Sequence, residues 1–176
     1  MSVGPVSQVA PPVLTRQGTF TNSKLGAGTV SEQVTKSGAT RTIDRTLTFA
    51  NGKVANITNT ITQNADGSTT IDSSRKLANG KTVVKDVTLG AAAADGSRTI
   101  TGKLTTAAGV VETISGAKTK TANGYAVNQT ITGPQNATST VSDVTTNTGT
   151  GTTDTFTATD SGGKTISQTS TLNLLV

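Results

Sequence analysis

The sequence predicts an all-β fold: an antiparallel meander of about 10–12 long strands, arranged as a β-sandwich or barrel-like structure. Alternating runs are separated by Asn-Gly or Asp-Gly turns, most regularly over residues 41–89. These pairs predict β-hairpins with type I′ turns, because both residues tolerate positive φ angles. About a quarter of the chain is Thr, whose branched Cβ favours strands, and this is far above ordinary usage.

The turns recur at a fixed interval. Gly38 and Gly67 are 29 residues apart, and Gly52 and Gly80 are 28 residues apart. A hairpin of two strands and two turns is therefore the repeating unit, which indicates a modular architecture. We expect residues 14–176 to form a single all-β domain of such repeats, with a period of about 28–29 residues.

The parity of each run separates an apolar face from a Thr face. Over residues 41–49, Ile43, Leu47 and Phe49 share one side, and the Thr residues occupy the other. This alternation predicts an antiparallel sheet with one face buried and one in water. The predicted core consists of Ile43, Leu47, Ile57, Ile61, Ile71, Leu77, Val83, Val87, Ile100, Leu104, Ile114, Val127, Ile131 and Phe156.

Residues 1–13 stand apart as an extended N-terminal arm. Three prolines exclude a helix and favour an extended chain. The segment is either a solvated tail or an arm that docks on a neighbouring molecule as a donor strand. The C-terminal run also ends in aliphatic residues, which we expect another surface to cover. The residues expected to mediate assembly are Val3, Val6, Val9, Val13, Leu14, Leu172, Leu174 and Val176.

The composition argues against catalysis. The chain has no Cys and no His, so it lacks the commonest general base, the thiolate nucleophile and the commonest zinc ligands. Its carboxylates are scattered, with no aromatic platform for a sugar and no DxDxDG-type calcium loop. We therefore expect no enzymatic activity, no cofactor and no metal site.

Other partners are also disfavoured by the sequence. The net charge is +5, but charged residues make up only 14% of the chain and form no basic run. Nucleic-acid binding needs a basic patch, usually with stacking aromatics, so we expect none. No stretch approaches the roughly 18 apolar residues of a membrane-spanning helix, so we expect no membrane span. Residues 1–17 show no signal-peptide pattern, which leaves the export route open.

The Thr faces invite comparison with ice-binding surfaces. The Thr-x-Thr motif changes position from run to run, as at 46–48 and 99–101, so the arrays are better explained by Thr–Thr pairing across strands. In its composition and hairpin pattern, which is rich in Thr, Gly, Asn and Ala and lacks Cys and His, the chain resembles the repetitive segments of bacterial extracellular matrix, adhesin-stalk and filament proteins. This resemblance implies a location outside the cell or at its surface.

Two functions of different class follow. The first is a structural subunit of an extracellular filament, pilus-like fibre or biofilm matrix, which assembles with itself head to tail, with strand donation as one form of contact. The alternative is a non-catalytic surface-binding module, an adhesin or a carbohydrate- or ice-binding protein, that uses its Thr-rich faces. Its partner would be a cell surface or a matrix polysaccharide.

Overall fold

A computed structural model describes residues 12–174, with the backbone alone for Leu174. Twelve antiparallel strands follow one another as a meander, and the first pairs with the last to close a barrel. The predicted all-β meander is confirmed, with closure as a barrel. The strands are β1 (Val13–Asn22), β2 (Gly26–Ser37), β3 (Thr40–Phe49), β4 (Val54–Gln63), β5 (Thr69–Lys76), β6 (Thr82–Leu89), β7 (Arg98–Thr105), β8 (Val111–Thr121), β9 (Gly124–Thr132), β10 (Thr138–Thr148), β11 (Gly151–Thr159) and β12 (Thr165–Leu174).

The hairpin turns differ from the predicted type. A type I′ turn needs positive φ at both central residues, but in the turn after β3 only Gly52 has it, at 76°. The side chain of Asn51 instead accepts a hydrogen bond from the Lys53 amide at 3.1 Å. The turn is therefore a longer loop with a left-handed glycine, and the type I′ prediction was wrong.

The inside of the barrel holds two apolar clusters. The first lies on β1–β4 and β12, where the rings of Phe20 and Phe49 meet edge to face with centroids 5.1 Å apart. The second lies on β5–β9 around Val87, Ile100 and Ile114. Only 32% of the residues are hydrophobic, and the interior of a twelve-stranded barrel is wide. The apolar side chains therefore form two clusters and not one continuous core.

The predicted core agrees with these clusters in part. Fully buried predicted residues are Leu47, Val87, Ile100 and Ile114, and those packed partly buried against the clusters are Ile57, Ile71, Leu104, Val127 and Ile131. The other predicted core residues are half-buried, namely Ile43, Ile61, Leu77, Val83 and Phe156. The buried hydrophobic residues that the prediction omitted are Phe20, Val30, Phe49, Ala55, Leu89 and Leu172.

The two ends of the barrel are distinct. The proximal end, as we call it, is the end where β1 begins and where the loop after Ser37 lies. The distal end carries the loops after Asn22, Phe49 and Lys76. Since β1 starts at Val13, the last residue of the predicted arm belongs to the barrel, and residues 1–11 lie outside the described part of the chain.

Candidate functional site

Charged side chains cross the inside of the barrel. Glu32 is 3% exposed, and its Oε2 accepts hydrogen bonds from Arg45 Nη2 at 2.6 Å and Nε at 3.1 Å. Arg45 Nη2 also lies 3.8 Å from Asp154 Oδ2. Because β3 and β11 are four strands apart in the ring, this contact passes through the interior and links two separate parts of the wall.

A second acid lies close to this network. Burial and the nearby Asp154 raise the pKa of Asp143, against the opposing attraction of Lys85, Arg45 and Lys118. Burial in turn lowers the pKa of Lys85, which the charge of Asp143 partly offsets. Oδ1 of Asp143 has no hydrogen-bond partner among the described residues. Among the interior carboxylates, Glu32 is therefore well satisfied by hydrogen bonds, whereas Asp143 is poorly satisfied.

The interior charges suit a structural role. Arg16 and Arg45 both lie within 4 Å of the buried Glu32, and no group of three or more potential metal-ligating side chains occurs within residues 12–174. The expected absence of catalysis, metal and cofactor remains a prediction.

A cavity of about 240 Å³ opens at the distal end, and we call it the mouth cavity. Its apolar wall comes from Leu25, Phe49 and Leu77, and its rim carries polar and basic side chains. All of its lining residues are Leu25, Phe49, Asn51, Lys53, Ala55, Arg75, Leu77, Ala78 and Asn79. The volume is below the range of about 300–1,000 Å³ that is typical of small-molecule pockets, so the cavity suits the side chains of a docking segment.

Arg75 is the residue of this cavity whose hydrogen bonding is incomplete. Its Nε is buried but has no acceptor within the described part of the chain, and burial lowers the pKa of the guanidinium. Arg98, at the proximal end, shows the contrast: its Nε donates to Gly90 O at 2.6 Å and its Nη2 to Thr69 Oγ1 at 2.9 Å. A buried donor without an acceptor costs free energy, so the mouth cavity favours an occupant that supplies one.

The outer wall of the barrel carries two shallow grooves with hydroxyl and amide linings. One, of about 500 Å³, lies over β1–β3 and includes Thr19, Thr29 and Thr48. The other, of about 330 Å³, lies over β9–β11 and includes Asn128, Thr130 and Thr157. The Thr face of the predicted sheet is therefore the outside of the barrel.

The predicted assembly residues fall into four groups. Val13 and Leu14 lie in β1 at the proximal end and are 59% and 38% exposed. Leu172 is 1% exposed inside the first apolar cluster, so its side chain is covered by its own barrel and not by a neighbour. The backbone of Leu174 pairs with Arg16 of β1. The remaining predicted residues, Val3, Val6, Val9 and Val176, lie outside the described residues.

The mouth cavity was not predicted from the sequence, although a signal for it exists. The segments at 50–54 and 78–82, ANGKV and ANGKT, are nearly identical and one hairpin period apart. That interval places both turns at the same end of the barrel, where Asn51 and Asn79 line the cavity. The nearly repeated turn indicated the position of the site, but it gave no sign of Leu25, which lies in the loop after β1, or of Arg75, which lies on the strand before the second turn.

No helix within the described residues is long and apolar enough to cross a membrane. Comparison of the chain with protein families, with curated proteins and with solved structures finds no match.

Proposed function

We propose that this chain is a structural subunit of an extracellular filament or surface matrix in which barrels join end to end. The observation that carries the proposal is that the two ends of the barrel differ. The proximal end exposes Val13 and Leu14 and leads into residues 1–11, while the distal end opens into the mouth cavity with its apolar wall. A contact between unlike ends is heterologous, so it propagates into a filament unless its rotation closes a ring.

The closed wall of the barrel favours a filament that grows by contacts between barrel ends over one that grows by contacts between barrel sides. The twelve described strands leave no edge free, because β1 pairs with both β2 and β12. Strand donation into an open sheet edge, one form of the expected contact, therefore has no acceptor edge among them. We accordingly place the joint at the two ends.

Deletion of residues 1–11 tests the proposal. The deletion stops before β1, so we expect a folded, all-β protein that elutes as a monomer, while the parent chain forms filaments visible by negative-stain microscopy. Each aliphatic side chain that is fully buried in a joint contributes about 1.5–3 kcal/mol, so the loss of three valines is sufficient to abolish assembly.

A triple substitution of Val3, Val6 and Val9 by Ser is a second test variant, since it keeps the length of the arm and removes only its aliphatic groups. It should behave like the deletion. A parent chain that remains monomeric at high concentration would rule out the filament, and unchanged filaments after deletion would rule out the arm.

The outer grooves support a second candidate, a non-catalytic module that binds a matrix polysaccharide or another polar surface. Their linings of Thr, Ser, Asn and Gln offer many hydrogen-bonding groups without charge. Binding of the monomeric deletion variant to a panel of immobilised polysaccharides tests it, with Thr48→Val and Thr157→Val as the groove variants that should weaken retention.

A further inference from the structure

We propose that the mouth cavity binds the segment Val3–Val9 of the preceding subunit, with Arg75 donating a hydrogen bond to a backbone carbonyl of that segment. This inference rests on the proposed function and assigns both halves of the joint.

The chemistry of the cavity defines its occupant. Leu25, Phe49 and Leu77 provide an apolar wall, and the buried Nε of Arg75 provides a donor that no described residue accepts. Leu25 is 43% exposed, so part of this apolar surface faces water in the isolated barrel. The occupant must therefore bring aliphatic side chains together with free acceptors.

The arm has both properties. Val3, Val6 and Val9 are spaced by three residues, and a polyproline II helix has about three residues per turn. In that conformation the valines lie along one face and the backbone carbonyls make no internal hydrogen bonds, so the carbonyls are free to accept.

Charge also favours this occupant. No Asp, Glu, Lys or Arg occurs before Arg16, so docking of Val3–Val9 brings no charged side chain to the basic rim at Lys53 and Arg75. A cationic segment would be repelled there, and an anionic one would lose its hydration on entering an apolar cavity.

The direction of the chain favours docking of the arm in the mouth cavity of a neighbouring subunit over docking in its own. β1 runs from the proximal end to the distal end, so a chain that continues backwards from Val13 leads away from its own mouth cavity. Pro11 and Pro12 favour an extended chain at this point and disfavour a reversal. At about 3.1 Å per residue, the nine steps from Val3 to Pro12 span about 28 Å, enough to enter a barrel placed end to end.

Disulfide trapping tests the inference in the full chain, which has no cysteine of its own. One population carries Val6→Cys and a second carries Ala78→Cys, in the lining of the cavity. We expect mild oxidation of the mixture to give the mixed dimer at a rate at least about tenfold above that of the control. The control population carries Val111→Cys in place of Ala78→Cys, because Val111 is also exposed and begins a strand at the distal end but does not line the cavity.

Each outcome decides between the two proposals. Filaments without preferential trapping at position 78 would overturn the docking site and leave the filament intact. Preferential trapping without filaments would support the site and overturn the filament. If one chain that carries both cysteines gives only the internally linked monomer, the arm occupies its own mouth and the intermolecular joint is overturned.

Arg75→Met tests the proposed donor separately. Loss of one charge-assisted hydrogen bond should slow trapping at position 78 about tenfold. Lys76→Met is the matched control, since Lys76 is exposed on the same strand and lies outside the cavity. Equal trapping rates for the two variants, both with unchanged circular dichroism, would overturn the role of Arg75.

Discussion

Two carboxylates face the inside of the barrel in opposite situations: Glu32 is buried and Asp143 is half-buried. Glu32 receives two hydrogen bonds from Arg45 and lies near Arg16, with Nη1 3.6 Å from Oε1. Asp143 has neighbouring charges of both signs, but its Oδ1 has no hydrogen-bond partner within residues 12–174. Neutralising the carboxylate of Glu32 should therefore destabilise the barrel, whereas neutralising that of Asp143 should stabilise it.

Arg45→Met should lower the free energy of unfolding by about 3 kcal/mol, because it leaves Glu32 buried with only the more distant Arg16. Denaturant unfolding measures this change. Arg41→Met, at an exposed position on the same strand, is the control and should change stability by no more than about 0.5 kcal/mol. Adding Glu32→Gln to Arg45→Met should recover part of the loss, and a failure to do so would mean that Arg45 stabilises the barrel through Asp154, Asp143 or packing and not through Glu32.

Asp143→Asn should raise the stability of the barrel near neutral pH. The pKa of Asp143 is raised in the folded state, so the folded barrel holds a proton at pH values where the unfolded chain has released it. Stability of the parent therefore falls as the pH rises from the ordinary carboxyl value of 3.8 through the folded pKa. Thermal unfolding should show a higher Tm for Asp143→Asn at about pH 7, with the difference shrinking towards about pH 3.

The opposite sign is equally informative. A lower Tm for Asp143→Asn near pH 7 would show that the attraction between Asp143 and Lys85 outweighs the cost of burying the carboxylate.

At the scale of elements, β1 and β12 approach each other closely at the pair that closes the barrel. Gly18 faces Leu172 in the register of this pair. A Cβ placed on Gly18 would lie 1.8 Å from the backbone oxygen of Thr171, and a backbone atom in a ladder cannot move aside easily. Gly151 makes the same kind of approach to β12 from its other neighbour, β11, where a Cβ would lie 1.9 Å from Leu172 O.

Gly18→Ala should therefore destabilise the barrel by about 1–3 kcal/mol or more, and it should do so at the closing pair. Hydrogen exchange should show faster exchange for the amides of β1 and β12 than for those of β6 and β7. Gly149→Ala is the matched control, because nothing lies within 4 Å of a Cβ at that turn position. Uniform exchange across all strands of Gly18→Ala would mean that the closing pair is not the weakest one.

The sequence predicts which residues of a single strand face inwards better than it predicts which strands meet when the barrel closes. Parity in single runs correctly placed Leu47 and Ile100 inside, because a two-residue period is a local property. Leu172 was assigned to an uncommitted end, since its cover comes from β1 and the first cluster, which no local pattern connects to it. The mouth cavity could not be predicted for the same reason, because Leu25, Phe49 and Arg75 belong to three separate hairpins that meet only in the folded sheet.

At the scale of the whole molecule, the uncharged arm predicts how filaments respond to salt. At about 1 M ionic strength the Debye length falls to about 3 Å, which weakens contacts between exposed charges but not apolar burial. Filaments should therefore persist in about 1 M NaCl and gain stability in sulfate, which strengthens apolar burial. Light scattering across a salt series measures this. Dissolution of the filaments in NaCl would indicate an electrostatic joint.

The position of β1 between β2 and β12 sets how a filament would carry tension. A pull transmitted through the arm enters β1 along its own axis, and this strand is hydrogen-bonded on both flanks over most of its length. Rupture then requires two ladders to slide at once, whereas a strand peeled from one end breaks its hydrogen bonds one after another. A chain of such barrels, pulled by its joints, should yield at the docked arms before any barrel opens, and it should re-form when the arms dock again.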